Sequence, residues 1–227
     1  MPAPRVLIVL HTNSAWARGI LSGFAAAAHE RGWTLLFYNN ASDLSLFASA
    51  LEPVAAVVAT EFDAPVFANL DPATFVSLTV DRSAAGIASV CLDEAAIGKL
   101  AYEHLQATGL RTVTTFRYDE STFAIAREQA FVEAARARSA VIARGWGMGE
   151  NQQDRRENPA AMVAWLEALP KPCGIFTGTD GWGRTVARYA QLAGLRVPVY
   201  GALRGADNEE LDYELKSPRL SSVLLPW

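Results

Sequence analysis

Short β-rich apolar runs alternate along this chain with longer segments of helical period, and that alternation points to an α/β protein built on parallel sheets. Two such series follow one another. In the first, Val6 to Leu10 reads as a buried strand, followed by a helix from Ala15 to Arg31 that Gly32 stops. Further strands are expected at Thr34 to Tyr38, Val54 to Ala59, Phe75 to Val80 and Ala88 to Cys91, with helical stretches at Asp43 to Ala50 and Ala64 to Leu70. Asp93 reads as the cap of a helix over Glu94 to Ala107 whose buried face would carry Ile97, Leu100, Ala101, His104 and Leu105.

The second series restarts at Arg111, with strands at Thr112 to Phe116, Ala140 to Ala143, Cys173 to Phe176 and Val199 to Leu203. Helices are expected over Thr122 to Arg138, Pro159 to Leu169 and Gly183 to Ala193, a glycine-rich surface loop over Gly145 to Arg156, and a short acidic helix over Asn208 to Leu215. The expectation is therefore two open parallel-sheet lobes, residues 1–110 and 111–220, with residues 221–227 starting a crossover back to the first lobe. In open parallel sheets a ligand sits beyond the carboxyl ends of the strands, so two facing lobes can line one ligand cleft.

Composition narrows the function. The 227 residues carry 20 Lys plus Arg against 24 Asp plus Glu, a net charge of −4, which argues against a nucleic-acid-binding module. With 51% hydrophobic and 19% charged residues the chain can bury a sizeable core. Its two cysteines, Cys91 and Cys173, lie among apolar residues and read as buried thiols; no disulfide scaffold or cysteine-based zinc site is implied. The opening MPAPRVLIVL holds an apolar run far shorter than a membrane span and no signal-peptide pattern, so a cytoplasmic location is expected.

Polar residues gather at the expected strand ends: His11, Thr12 and Asn13; Asp81 and Arg82; Thr179 and Asp180; Asp207 and Asn208. A carboxylate accepts from two adjacent hydroxyls and a guanidinium donates to two, so this set suits a sugar, with Trp16 and Trp182 as faces for a ring to stack on. Each Asp or Asn taken singly is as well explained as a helix cap, and each Trp as core packing. Enzyme chemistry has less support. His11, His29 and His104 lie on separate elements, Gly145, Gly147 and Gly149 lack phosphate-loop spacing, no G-x-S-x-G elbow occurs, and Asp119 with Glu120 reads as a solvated charge pair. No catalytic residue, metal ligand or cofactor is nominated.

Three stretches, SAWARGILSGFAAAAHERGW (Ser14 to Trp33), LDEAAIGKLAYEHLQATGLR (Leu92 to Arg111) and WLEALPKPCGIFTGTDGWGRTVARYAQLAGLRVP (Trp165 to Pro198), resemble lactose-repressor-like, periplasmic-binding-protein-like sensor domains. The run GADNEELDYELKSPRLSSV (Gly205 to Val223) points to the xylose-operon-regulator branch. That resemblance implies a sensor followed by an AraC-type DNA-binding domain, with a helix and strand returning to the first lobe after the position of Trp227; a C-terminal return segment is thus expected to be missing from this chain. It also implies a homodimer. Residue by residue, it implies that Arg18 lies in the cleft on the first lobe with Asn13 and Trp16 close by, that Arg127 in AREQAF is the effector-binding arginine, and that Asp180 and Asp207 are ligand-binding carboxylates. Asp93 is as well explained as a cap. Relatives commonly carry Asn-Asp-Asp where this chain has Thr179, Asp180 and Gly181.

The function expected is sensing of a small-molecule effector, a monosaccharide, which closes the lobes and so controls a DNA-binding domain outside this chain, with no membrane partner. The alternatives are a solute-binding protein for a sugar transporter and, more remotely, an enzyme on a flavodoxin-like scaffold.

Overall fold

The computed structural model describes residues 3–45, 54–60, 65–68, 70–79, 81–147, 158–195, 201–207 and 221–225, and divides into two compact units, Met1–Leu92 and Asp93–Leu225. Each unit contains one five-stranded parallel sheet.

In the first unit the sheet comprises β1 (Arg5–Val9), β2 (Thr34–Tyr38), β3 (Ala56–Ala59), β4 (Phe75–Ser77) and β5 (Ala88–Ser89), in the order β2-β1-β3-β4-β5. Strand β1 is apolar on both faces because both are covered. Leu7 and Val9 point the same way as Val57 and Ala59, onto Leu44, Phe67 and Phe75. Val6, Ile8, Leu10 and Val58 face the opposite side, where Ala17, Ile20, Leu21 and Phe24 of α1 (Ala15–Arg31) pack. Helix α1 has the bounds its sequence signals give. Ser14 Oγ accepts from Ala17 N at 3.2 Å, and Gly32, at φ 65°, ends the helix in the left-handed conformation with its N–H donating to Ala28 O.

The helix expected over Ala64 to Leu70 is a single 3₁₀ turn, Pro65–Phe67, among the described residues; Phe67 is pinned edge-on against Phe75 with ring centroids 6.1 Å apart. So short a segment takes its shape from one anchoring side chain, since helix nucleation is costly and tertiary contacts decide. Helix α2 covers Ala41–Ser45, and the rest of the stretch expected to Ala50 lies outside the described residues. Cys91, expected to be buried, is exposed because β5 ends at Ser89.

The second unit contains α3 (Glu94–Ala107), β6 (Thr112–Thr115), α4 (Thr122–Ala137), β7 (Val141–Ile142), α5 (Pro159–Ala168), β8 (Cys173–Phe176), α6 (Asp180–Leu192), β9 (Gly201–Ala206) and β10 (Ser221–Val223). Its strand order is β10-β9-β8-β6-β7. Ser221 to Val223, read from sequence as the start of a crossover, pair with Arg204 to Ala206 of β9. The acidic helix expected over Asn208 to Leu215 lies outside the described residues.

Helix α3, which the sequence reading grouped with the first lobe, packs in the second unit against α4. The contact works because Gly98 has no side chain: a Cβ there would stand 2.9 Å from Phe131 N and 3.0 Å from Ala130 Cβ. The buried stripe of α3 is Ile97, Gly98, Ala101, Tyr102 and Leu105, whereas Leu100, expected inside, is 51% exposed. Tyr102 meets Phe131 edge-on at 5.8 Å, and Phe131 stacks on Phe176 of β8 at 5.0 Å, so an aromatic column runs from α3 through α4 to the sheet.

On the opposite face of this sheet Phe116 and Ile175 pack on Met162, Leu166, Val186, Ala187 and Ala190. Trp146, which the sequence assigned to a surface loop, is 2% exposed and lies parallel to Phe116 at 6.3 Å. The remainder of that loop, residues 148–156, lies outside the described residues. Helix α5 ends at Ala168, and beyond it the Lys171 ammonium donates to the carbonyls of Leu166, Glu167 and Leu169 at 3.3, 2.7 and 2.9 Å. Cys173 is buried, and burial pushes its thiol up to about 12.

Gly98→Ala is expected to destabilise the fold by about 1–3 kcal/mol, since the new methyl meets backbone that cannot step aside. Gly23→Ala, in α1 with nothing within 4 Å of an added Cβ, is expected to stabilise by about 0.5–1 kcal/mol. Urea denaturation of the two variants checks both signs; equal midpoints would refute the close-approach account of the α3–α4 contact.

Candidate functional site

Helix α4 turns the stripe Ala124, Arg127, Glu128 and Phe131 inward, so two charged residues occupy helical positions that would ordinarily be apolar. Buried charges require partners, and these two find different ones.

Glu128 braces the end of β6. Its Oε1 accepts from Thr115 Oγ1 at 2.5 Å and its Oε2 from Arg117 Nε at 2.6 Å. Arg117 also donates to Glu120 Oε2 at 2.5 Å and to the carbonyls of Asp119 and Gly147, both at 3.1 Å. The Asp119–Glu120 pair is thereby absorbed into the turn before α4, where Asp119 Oδ1 accepts from Ser121 N at 3.0 Å.

Arg127 is 3% exposed and gathers the ends of several elements. Its Nε donates to Glu94 Oε2, on the first residue of α3, at 2.5 Å. Its Nη1 donates to Gly178 O, in the β8–α6 loop, at 2.8 Å, and lies 3.9 Å from Asp207 Oδ1 just beyond β9. Phe123, one turn earlier on α4, presents its ring to the guanidinium, with Cζ 5.0 Å from the centroid. Phe123 in turn stacks on Trp182 at 6.2 Å, and Tyr118 lies tilted against the same indole at 6.2 Å.

One carboxylate beside this cation is held with backbone strain. Asp207 adopts φ 119°, a backbone conformation that L residues seldom take and that costs of the order of 1–3 kcal/mol. Asp180, 2% exposed, is the first residue of α6, where the helix dipole favours a carboxylate. It is seated directly against β9: a Cβ at Gly205 would fall 2.8 Å from Asp180 Cα and 2.9 Å from its N. Burial raises the pKa of Glu94 above its ordinary value, and the attraction of Arg127 only partly reverses that shift.

Of the residues singled out from sequence, Arg127 and Asp207 meet, and Gly205 brings Asp180 against the strand that ends beside Asp207. In the first unit, Asn13, Trp16 and Arg18 share the β1–α1 junction. Asn13 is exposed; Arg18, also exposed, donates Nη1 to Thr12 O at 3.2 Å; Trp16 is half-buried against the core beneath α1. Asp81 and Asp93 make local turns. Asp81 is exposed and accepts from Ser83 N at 2.9 Å and from the Ser83 hydroxyl, which together lower its pKa. Asp93 caps α3 by accepting from Ala96 N at 2.8 Å. Thr179 caps α6 by accepting from Trp182 N at 3.2 Å. Trp182 itself is packed against Phe123 and Tyr118, which leaves its ring in service of Arg127's surroundings.

Glu94 went unnoticed in the sequence because an acid in the first turn of a helix reads as a partner for the dipole, and its cation lies 33 residues away. The available signal was the helical position of Arg127 and Glu128 among apolar neighbours.

Two parallel-sheet units of this topology, with a buried arginine among carboxylates at the strand ends, define a periplasmic-binding-protein-like sensor fold. The chain belongs to the periplasmic binding protein-like domain family, whose sequence profile matches residues 102–227. It is 30% identical over 137 residues to the xylose operon regulatory protein of Haemophilus influenzae, a match covering 59% of this chain and 35% of that protein. The chain thus matches about a third of the length of that curated relative. Among solved structures it is similar to a periplasmic binding protein/LacI transcriptional regulator from Alkaliphilus metalliredigens in complex with D-xylulofuranose, with TM-score 0.72, 20% identity and coverage of 99% of this chain and 85% of that one. It is also similar to the xylose-binding transcription activator XylR, with TM-score 0.73, 22% identity and coverage of 99% and 60%. These structures share the fold.

The Glu94–Arg127 contact yields a stability prediction. Charge-assisted hydrogen bonds contribute about 1.5–3 kcal/mol each, so a double-mutant cycle with Glu94→Gln and Arg127→Gln should give a coupling energy above about 1 kcal/mol. Because the folded-state pKa of Glu94 is raised, the fold takes up protons at this residue as pH falls toward its ordinary 4.5. Wild type should therefore gain stability relative to Glu94→Gln on acidification from neutrality. Denaturant titrations across that range check the sign, and a difference that shrinks would contradict it.

Proposed function

We propose that this chain is the effector-sensing part of a transcriptional regulator, that its effector is a monosaccharide, and that Arg127 and Asp207 hold that sugar from the second unit. The observation that carries this reading is the buried guanidinium of Arg127, 3.9 Å from a carboxylate kept at an unfavourable φ of 119°. Strain of this kind persists where the surroundings enforce it and is concentrated at ligand sites. A guanidinium and a carboxylate side by side offer paired donors and acceptors, which match the vicinal hydroxyls of a sugar ring. The family relationship supports the same reading: one matched relative regulates a xylose operon, and two of the solved structures are described with xylose or xylulofuranose.

On this proposal Asn13, Trp16 and Arg18 contribute from the first unit, and the sugar favours a closed arrangement of the two units over an open one. Such differential affinity is what a ligand needs to shift a conformational equilibrium. The output passes to a DNA-binding domain outside these 227 residues, and the regulator acts in the cytoplasm as a homodimer.

A thermal-shift screen of neutral monosaccharides is the first test, since a ligand at about 100 times its dissociation constant stabilises the fold by roughly 2.7 kcal/mol. With a binder in hand, isothermal titration of Arg127→Ala and Asp207→Asn should show affinity reduced by about one to two orders of magnitude, as 1.4 kcal/mol is a factor of ten. Asn tolerates positive φ, so Asp207→Asn removes the charge while keeping the backbone. If both variants melt earlier yet bind within about twofold of wild type, the pair only braces the fold and the proposal fails.

A further inference from the structure

We propose that Glu94 determines specificity at this site: by holding Arg127 in an ion pair it reserves the site for neutral sugars and turns away sugar acids. The inference rests on the reading of Arg127 and Asp207 as a sugar site and adds the charge class of the ligand.

A buried arginine is ordinarily well suited to clamp a carboxylate, because its planar fork donates two parallel hydrogen bonds. In this chain a carboxylate from the protein has taken that place. Glu94 Oε2 receives the Arg127 Nε–H at 2.5 Å, with side chains only 15% and 4% exposed, and Nη1 is directed to Gly178 O at 2.8 Å and toward Asp207. One positive charge is thus surrounded by the carboxylates of Glu94 and Asp207, and Asp180 is buried beside the strand that leads to Asp207. A second guanidinium at this end of the sheet, Arg117, is committed to Glu120 and Glu128.

An incoming ligand carboxylate would have to compete with Glu94 for Arg127 and would meet Asp207 at close range in a site shielded from solvent, where like charges repel strongly. A hydroxyl brings no such charge. It can donate to Asp207 and accept from a guanidinium whose orientation Glu94 has already fixed. Glu94 therefore acts on the ligand through Arg127, as a positioning residue and as a negative charge set against the wrong ligand class.

The test compares the full 227-residue chain with Glu94→Gln, Glu94→Asp and Glu103→Gln by isothermal titration. Glu103 lies on the same helix in an exposed pair with Arg138, at 3.7 Å, and controls for loss of one charge. The probes are D-xylose, D-glucose and D-galactose against D-glucuronate and D-galacturonate, whose rings differ from their neutral counterparts by a carboxylate. Wild type is expected to bind at least one neutral sugar at least a hundredfold more tightly than either uronate. Glu94→Gln should narrow that ratio at least tenfold by gaining uronate affinity, whereas Glu94→Asp, which keeps the charge, and Glu103→Gln should preserve it. A wild type that binds uronates within threefold of the best neutral sugar overturns the inference while leaving the sugar site standing. An unchanged ratio in a folded Glu94→Gln does the same. Should Glu94→Gln not fold, the wild-type ratio and its retention in Glu94→Asp decide. No binding of any probe by wild type overturns the sugar-site reading and this inference together.

Discussion

The burial of one guanidinium organises the second unit. Arg127 lies inside at 3% exposure, and a cation taken out of water at that depth must be matched by acceptors with fixed geometry. Those acceptors come from three separate places in the chain: Glu94 at the start of α3, the Gly178 carbonyl after β8, and Asp207 after β9. Satisfying Arg127 therefore fixes where a helix begins, how a strand hands over to α6, and how β9 ends. Removing any one partner loosens the others, because each shares the same planar group.

Close backbone packing is what makes that convergence possible. Gly98 lets α3 approach α4 near enough for Glu94 to reach Arg127, and Gly205 lets β9 pass Asp180 closely enough to bring Asp207 alongside. In both places a methyl group would collide with backbone atoms, which have no rotamer to retreat into. The aromatic column from Tyr102 through Phe131 to Phe176 then holds the two helices on the sheet, and Phe123 with Trp182 closes over the cation. The polar cluster and the apolar column thus share α4, on which Arg127 and Phe131 are one helical turn apart in the same buried stripe.

Much of this was legible in the sequence. The alternation of strand and helix identified two parallel sheets, and the cap Asp93, the stop Gly32 and the all-apolar run Val6 to Leu10 told where elements start, stop and bury. Resemblance, rather than pattern, supplied Arg127, whereas Asp207 stood out already as a polar residue at a strand end. Three things escaped for physical reasons. The membership of α3 in the second unit depends on a glycine contact with a helix far along the chain, which periodicity does not encode. Trp146 sits in a glycine-rich stretch whose composition says loop, yet its indole fills the space beside Phe116. Glu94 is a common residue at a common helix position, and only the fold reveals that its carboxylate belongs to a distant arginine. The capping alternative describes Asp93, which accepts from Ala96 N at the start of α3, whereas Asp81 closes a local turn by accepting from Ser83 N.

The central claim is that the Arg127 guanidinium, oriented by Glu94, is the group that meets the effector. Its Nε–H can be followed directly as an arginine side-chain resonance in ¹⁵N-correlated NMR spectra of the intact chain. Buried and donating to Glu94, that proton should exchange slowly with water in the free protein, and its signal should move on titration with the monosaccharide that stabilises the fold, saturating at the same concentration as the thermal shift. A signal that exchanges as fast as surface arginines, or that stays in place while the protein saturates with sugar, would contradict the account.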